Sequence, residues 1–244
     1  MTTDTTDPNT ASSNTASEAT KTAGSETRSF QAEVSRLLDI VAHSLYSERE
    51  VFLRELISNG ADACDRLRYL AITEPALLGT ETELQIHVTV DKTAKTLTIA
   101  DNGVGMTREE LIDNLGTIAR SGSGAFMKQM AGKSGDEAKQ DAVSLIGQFG
   151  VGFYSAFMVA SQVSVVSRRA GSDDAYQWVS DGKGEYDIGA GPADAPRGTR
   201  ITLTLRDDAE EYLEEQRLRE IIQKYSDHIA LPIRLGQEGK DEVE

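Results

Sequence analysis

A polar stripe runs along one side of a predicted helix in the segment 51–66. Glu55, Asn59, Asp62 and Arg66 recur at intervals of three and four residues, and about 100° per residue puts them on one face. The opposite face is apolar or small and consists of Leu53, Leu56, Ile57, Gly60, Cys64 and Leu67. Such a stripe is usually solvated surface. A carboxylate and an amide one turn apart can also hold a metal ion and activate a water, provided that a ligand-binding motif faces them.

A candidate for that motif is the turn 101–106, Asp-Asn-Gly-Val-Gly-Met, which ends a strand-like run. The carboxylate of Asp101 can accept a hydrogen bond from an exocyclic amine such as adenine N6, and such a charge-assisted bond contributes about 1.5–3 kcal/mol. Gly103 and Gly105 leave the backbone open to a flat ring, and Met106 is an adaptable apolar wall. The same residues also fit a plain Asn-Gly hairpin turn.

The stripe itself has the chemistry of a magnesium and water site. The amide oxygen of Asn59 is a neutral, hard ligand, and Mg²⁺ takes one or two protein oxygens and fills its octahedron with phosphate and water. Glu55, one turn earlier, would lie near the metal and the terminal phosphate, where a general base typically contributes about 10²–10⁴ in rate. Asp62, one turn later, could orient the base through a water. An ordinary exposed glutamate remains the alternative for Glu55.

A glycine-rich run at 148–152, Gln-Phe-Gly-Val-Gly, leads into another predicted helix. Free backbone N–H groups at a helix N-terminus bind anions, so a triphosphate could be held there although the chain lacks a Gly-x-x-x-x-Gly-Lys-Ser/Thr motif. The stretch before it, about 114–147, has the length and glycine content of a lid. The alternative is a flexible loop with a glycine at the helix start.

Composition narrows the class of protein. The 244 residues carry 40 acidic and 25 basic side chains, and the net charge of −15 argues against general binding to nucleic acid or anionic membranes. No apolar run approaches the roughly 18–20 residues of a membrane span. The single cysteine, Cys64, excludes an internal disulfide, and no Cys/His cluster suggests zinc. We therefore expect a reducing, cytoplasmic location.

The order of predicted elements indicates the fold class. Residues 1–28, rich in Thr, Ser and Ala, are predicted to be a disordered tail. Helices are predicted at 30–46, 48–71, 152–160 and 209–228. A further helix is predicted to start at Thr107, which can act as the N-cap while Glu110 completes a capping box. Strands are predicted at 84–90, 97–99, 163–168, 176–180 and 199–205, with a short extended piece at 231–235. This order predicts an α+β, two-layer sandwich in which helices cover one face of a mixed, mostly antiparallel sheet.

Taken together and in this order, the motifs resemble the N-terminal ATP-binding domain of the 90-kDa heat-shock chaperone family, most closely its bacterial type. The matching segments are Phe-Leu-Arg-Glu-Leu-Ile-Ser-Asn (52–59), the turn 101–106, Asn-Leu-Gly-Thr-Ile-Ala (114–119), Ile-Gly-Gln-Phe-Gly-Val-Gly-Phe-Tyr-Ser (146–155), Gly-Thr (198–199) and Lys-Tyr-Ser-Asp (224–227). The resemblance covers about residues 29–235 and implies the Bergerat fold of the GHKL ATPases.

The resemblance also implies roles for individual residues. Glu55 matches the catalytic glutamate, Asn59 the magnesium ligand and Asp101 the adenine-binding aspartate. The rest of the implied nucleotide site consists of Gly105 and Met106 beside adenine, Asn114 and Thr117 at the ribose and lid hinge, the phosphate loop Gln148, Phe149, Gly150, Val151, Gly152 and Phe153, and Thr199 near adenine. Arg120 stands where the family usually has lysine and keeps the charge but not the geometry. Gly60 replaces the family's usual small non-glycine residue.

As a function, the resemblance implies an ATP-binding and ATP-hydrolysing chaperone domain with ATP or ADP and Mg²⁺ as cofactors. Clients, co-chaperones and homodimerisation through a C-terminal domain would belong to a longer protein. Residues 236–244 are expected to start a charged linker, and the isolated domain is expected to bind nucleotide with weak turnover. The alternative is another GHKL protein, either a sensor histidine kinase or a mismatch-repair or topoisomerase subunit. No dimerising hairpin precedes the nucleotide motifs, and the acidic balance argues against a DNA-associated member.

Overall fold

An eight-stranded sheet is the frame of the computed structural model, which describes residues 24–30, 49–116 and 152–237. Its strands are β1 (Glu26–Ser29), β2 (Ile86–Asp91), β3 (Thr96–Asp101), β4 (Ala160–Arg168), β5 (Ala175–Ser180), β6 (Glu185–Ala190), β7 (Gly198–Leu205) and β8 (Ile233–Gln237). They lie in the order β1-β6-β5-β4-β7-β3-β2-β8. Every described pairing is antiparallel except that of β2 with β8, so the predicted mixed, mostly antiparallel sheet is confirmed.

Helices and tight helical turns form the second layer. The α-helices are α1 (Val51–Leu70), α2 (Arg108–Leu111) and α3 (Glu215–Ser226). Shorter turns are the 3₁₀ segments Pro75–Leu78, Gly152–Met158 and Asp207–Leu213 and the π-helical segment Ile112–Gly116. Helix α1 packs against β2, β3, α3 and the 3₁₀ segment 152–158, which makes it the central element of this layer.

The helices cover one face of the sheet, as the alternation of burial along the strands shows. In β2, Ile86, Val88 and Val90 are buried, whereas His87 and Thr89 between them are partly exposed. Successive side chains of a strand point to opposite faces, so the buried set marks the helix-covered side. The α+β, two-layer architecture predicted from the sequence is confirmed.

Local sequence signals account for two of the helical elements near the site. Helix α1 buries the apolar face predicted for it, and Pro75 opens a 3₁₀ segment after its end. The predicted capping box at α2 is confirmed: Thr107 Oγ1 accepts from the Glu110 N–H at 3.2 Å, and the Glu110 carboxylate accepts from the Thr107 N–H at 3.0 Å. The chain leaving the 101–106 turn is therefore held at a defined angle.

The predicted tail 1–28 extends too far along the chain. Residues Glu26–Ser29 form β1, which pairs antiparallel with β6, and the Phe30 N–H continues this pairing to Gly184 O at 2.7 Å. Phe30 itself is buried against Trp178 and Tyr186. The strand has no large apolar residue of its own, so composition alone did not reveal it; the ladder and the aromatic contact that follows hold it in place.

Three further predictions need correction in the second half of the chain. The segment predicted as a helix at 152–160 is a 3₁₀ turn ending at Met158, and Ala160 already begins β4. The helix predicted at 209–228 is divided at Glu214, whose extended backbone separates the 3₁₀ segment 207–213 from α3. Strand β6 was not predicted, because among its residues only Tyr186 and Ile188 carry large apolar side chains inward.

Some predictions fall outside the part of the chain that the structure describes. These are residues 1–23 of the predicted tail, residues 31–46 of the first predicted helix and residues 117–147 of the predicted lid. Of the predicted linker 236–244, the first two residues belong to β8 and the others lie outside the described ranges. Among the described helices, none has the length and apolar character needed to span a bilayer.

Candidate functional site

A cavity of about 360 Å³ lies between α1 and the helix-covered face of the sheet. Ten of the sixteen predicted site residues line it: Glu55, Asn59, Asp62, Asp101, Gly105, Met106, Asn114, Gly152, Phe153 and Thr199. The other six, Thr117, Arg120, Gln148, Phe149, Gly150 and Val151, lie outside the described residues. Segments that are far apart in sequence thus meet around one space.

The floor of the cavity is set by strand register. Asp101 of β3 pairs with Thr199 of β7, and Thr199 pairs on its other side with Ser167 of β4. The three polar side chains therefore stand side by side on neighbouring strands, at the inward positions of an otherwise apolar face. This row places a carboxylate and two hydroxyl groups opposite the polar stripe of α1.

Ser167 is a site residue that the sequence reasoning missed. Its buried hydroxyl oxygen accepts from the Met106 N–H at 2.9 Å, donates to Gly198 O at 3.0 Å and lies 2.9 Å from Thr199 Oγ1. Because the one hydroxyl hydrogen of Ser167 is donated to Gly198 O, the Ser167 oxygen accepts a hydrogen bond from the Thr199 hydroxyl. The available signal was a polar residue at an inward position after Val163 and Val165 in an alternating strand.

Asp101 faces the cavity with a carboxyl group that protein surrounds on most sides. Burial raises its pKa to about 7, although hydrogen bonds from the backbone N–H groups of Gly103 and Thr199 and the nearby Arg197 cation oppose the rise. The Gly103 N–H donates to Asp101 Oδ1 at 2.9 Å. An acceptor held this way suits a ligand that offers an N–H donor and compensates the lost hydration.

The two glycines of the 101–106 turn are required by protein packing. A Cβ on Gly103 would lie 2.6 Å from the carbonyl carbon of Ala63 in α1. Gly105 has φ +62°, and a Cβ there would overlap the carbonyl oxygen of Arg168. Of the two glycines, only Gly105 lines the cavity, so only there could the absence of a side chain let a flat ring approach the backbone. Gly103 instead allows the turn to pack closely against α1.

The α1 wall carries a buried carboxylate beside exposed polar groups. Glu55 is 8% exposed, and its Oε1 accepts from Arg54 Nη2 at 2.7 Å and from Arg54 Nε at 3.1 Å. The backbone of Gly152 lies against Oε2, where any side chain at 152 would collide with it. Asn59 and Asp62 are exposed, whereas the alternative of an ordinary exposed glutamate is wrong for Glu55, which is buried and paired.

The start of the predicted lid is fastened to the cavity rim. Asn114 lies in the π-helical turn, and its side-chain Nδ2 is 3.7 Å from Met106 Sδ. The buried Tyr154 hydroxyl donates to Leu115 O at 3.0 Å. Asn114 is thereby placed beside the 101–106 turn, and π-helical turns are common at functional positions.

The cavity wall offers one residue that could contribute to holding a metal ion, Asn59. Within the described ranges, no three His, Cys, Asp or Glu residues come together as a metal-binding group. The exposed amide of Asn59 supplies one hard oxygen on the wall, which suffices for Mg²⁺ when phosphates and waters complete its coordination. Cys64 offers no competing chemistry, because burial raises its pKa to about 12.

Comparison with known protein families matches residues 46–188 to the histidine kinase-, DNA gyrase B- and HSP90-like ATPases. The chain belongs to this family. The matched range includes α1, the 101–106 turn, β4 and β5, and so contains most of the described cavity lining. The α+β sheet with helices on one face agrees with the fold of these ATPases.

Curated relatives narrow the position within this ATPase family. Chaperone protein HtpG of Rhodospirillum rubrum is 60% identical over 222 residues, covering 89% of the chain and 34% of the relative. The proteins of the same name from Bordetella avium and Cronobacter sakazakii are 56% and 54% identical, covering 91% and 89% of the chain and 34% of each relative. The chain spans about a third of the length of these relatives. The resemblance to the bacterial 90-kDa heat-shock chaperones is confirmed, and the kinase and DNA-associated alternatives are not supported.

Proposed function

We propose that the cavity binds ATP or ADP together with Mg²⁺, and that in a longer protein this domain hydrolyses ATP to drive a chaperone that assists protein folding under stress. The observation that carries the proposal is that Asp101 and Thr199, which pair on neighbouring strands, line one cavity together with the exposed amide of Asn59, while the buried Ser167 hydroxyl contacts Thr199 from behind. This arrangement supports the proposal that Asp101 accepts from an adenine amine and that Asn59 is a ligand for magnesium.

In this proposal, each wall contacts a different part of the nucleotide. The carboxylate of Asp101 accepts a hydrogen bond from adenine N6, with Met106 and Gly105 against the ring. Asp62 orients the base through a water, and Asn114 contacts the ribose. Asn59 holds the Mg²⁺ ion, which neutralises phosphate charge when it is bound. Thr117, Arg120 and the 148–151 backbone are proposed to contact phosphates and to close the site.

Glu55 is proposed as the general base for hydrolysis. Both of its described hydrogen bonds engage Oε1, so Oε2 is the oxygen that could accept a proton from an attacking water. The Arg54 guanidinium pairs with Oε1 at 2.7 Å and so fixes the orientation of the carboxylate. The isolated domain is proposed to turn over ATP only weakly.

The activity of the whole protein extends this proposal beyond the chain. Unfolded or partly folded clients, co-chaperones and a C-terminal homodimer contact are proposed for the longer protein, in the cytoplasm. These proposals rest on the names of the relatives, of which the chain spans about a third.

The direct test is titration of the chain with ADP in a calorimeter, with and without Mg²⁺. Asp101→Asn should abolish measurable binding, because the amide offers a weaker acceptor and no charge to the adenine amine. Asp173→Asn, an exposed aspartate in the turn between β4 and β5, is the matched control and should bind like the wild type. Near-normal affinity of Asp101→Asn would remove the adenine assignment.

A further inference from the structure

Arg197 is a buried cation whose bonding is unusual for an arginine. It precedes β7 and is 8% exposed. Nε donates to Asn102 O at 2.9 Å, Nη2 donates to Glu81 O at 3.0 Å, and Nη1 donates to the carbonyls of Leu78 and, at 3.4 Å, Leu77. No carboxylate of the described chain forms an ion pair with it. A desolvated charge whose hydrogen bonds all go to neutral carbonyls is costly, which points to a role for its position.

The acceptor of the Nε bond belongs to the peptide unit that orients Asp101. On one side of that unit, Asn102 O accepts from Arg197 at 2.9 Å; on the other, the Gly103 N–H donates to Asp101 Oδ1 at 2.9 Å. A peptide unit is planar and rigid, so fixing its carbonyl fixes the direction of its N–H. By fixing the Asn102–Gly103 peptide unit, Arg197 fixes the donor that holds the Asp101 carboxylate.

The same connection carries an electrostatic effect. A cation that binds the carbonyl polarises the peptide and strengthens its N–H as a donor to the carboxylate. The positive charge of Arg197 also lowers the pKa of Asp101 and opposes the rise that burial causes. Other groups around Asp101 are Cys64, Asp62 and Arg66 of α1, of which Cys64 is neutral at pH 7 because its pKa is raised to about 12.

The surrounding contacts fix the far end of this connection. The side chain of Asn102 donates to Glu83 O at 2.7 Å and accepts from the Gln85 N–H at 2.9 Å. Arg197 donates to the carbonyls of Leu77, Leu78 and Glu81, just before these residues. The loop between α1 and β2 and the 101–103 turn are therefore held as one unit, with the guanidinium between them.

We propose that Arg197 is a positioning residue for adenine recognition, which aims the carboxylate of Asp101 and favours its charged form through the Asn102–Gly103 peptide. This inference rests on the proposed nucleotide function and adds a residue that does not line the nucleotide cavity.

The test compares Arg197→Met and Arg197→Lys with the wild type by ADP calorimetry from pH 6 to pH 9, and follows the Asp101 carboxyl titration by NMR without nucleotide. Arg197→Met should weaken ADP binding about tenfold or more at pH 7, less at pH 9, and should move the Asp101 titration to higher pH. Arg197→Lys keeps the positive charge but loses the planar guanidinium with its several donors. The Asp101 titration should therefore stay near that of the wild type while the affinity for ADP falls.

The matched control is Arg206→Met, because Arg206 follows β7 as Arg197 precedes it and also donates Nε to a backbone carbonyl, that of Ala160. It should leave both readouts unchanged. A folded Arg197→Met with the wild-type carboxyl titration overturns the inference, since a purely structural loss would lower affinity equally at every pH. If Arg197→Met does not fold, wild-type affinity in Arg197→Lys overturns it. Absence of ADP binding in the wild type would instead reject the proposed function, and the carboxyl titration would still decide the role of Arg197.

Discussion

A single carboxyl group, that of Asp101, combines opposing demands. Burial under α1 raises its pKa to about 7, whereas the proposed recognition of an adenine amine would require the charged form. Hydrogen bonds from the backbone N–H groups of Gly103 and Thr199 stabilise the charged form and oppose this rise of the pKa. Residues tuned close to the working pH are common at functional sites, and here the tuning follows from the register that places Asp101 beside Thr199.

This tuning predicts a pH dependence of nucleotide affinity. Since the binding-competent form is the carboxylate, ADP affinity should rise as pH increases through the pKa, by about tenfold between pH 6 and pH 8. Calorimetry across this range measures the effect, and adenosine, which has no titrating phosphate, should give the same ratio. Constant affinity over this interval would mean that Asp101 stays charged throughout.

At the scale of elements, α1 contains a glycine where an alanine would fit. A Cβ on Gly60 would meet Asp101 Cβ and Ile86 Cδ1 at 3.4 Å, which is ordinary contact. Gly60 therefore lowers the stability of the helix, although the packing around it does not require a glycine.

Gly60→Ala should stabilise the protein by about 0.8–1.0 kcal/mol, which corresponds to roughly 2–4 °C in melting temperature for a chain of this size. Thermal unfolding without nucleotide measures it, and ADP affinity should be unchanged. Gly103→Ala is the contrasting variant and should destabilise, because its Cβ would lie 2.6 Å from the backbone of Ala63. A lower melting temperature for Gly60→Ala would show that the fit beside Asp101 is too tight.

The elements also show what the sequence could and could not predict. Helix α1 was predictable because its apolar residues repeat at helical spacing, and Asp101 and Thr199 because they sit in recognisable motifs. Arg197 could not be found, and Ser167 left only the signal of a polar residue in an alternating strand, because their importance depends on β7 lying between β4 and β3, and local periodicity does not reveal strand order. Strands β1 and β6 escaped prediction because sheet pairing, rather than apolar alternation, sustains them.

For the whole molecule, the N-terminal boundary of the folded unit is a testable quantity. Removing residues 1–30 deletes β1 and the buried Phe30, whose loss should cost at least about 3 kcal/mol, or roughly 6–12 °C in melting temperature. Removing residues 1–23 keeps both and should leave the melting temperature unchanged. Thermal unfolding of the two truncated proteins side by side gives the difference; equal melting temperatures would show that β1 adds nothing to stability.

ATP hydrolysis is best tested in a protein of full length, since the chain spans about a third of the relatives' length. In a protein of that full length, Glu55→Ala should reduce ATP turnover by about 10²–10⁴ and leave ATP binding intact. Steady-state phosphate release and calorimetry measure the two quantities. Glu74→Ala, an exposed glutamate beyond the end of α1, should turn over ATP like the wild type. Unchanged turnover in Glu55→Ala would assign the base to another residue.

The pairing of β3 with β7 has a consequence for synthesis on the ribosome. Thr98 and Thr202, neighbours across this ladder, are 104 residues apart in the chain. At cellular rates of elongation, a gap of that length takes on the order of 5–20 s to translate. During that interval β2 and β3 have been made, but β7, the other neighbour of β3, has not. Nucleotide therefore cannot guide the folding of the first half of the domain and can only stabilise it once β7 has joined the sheet.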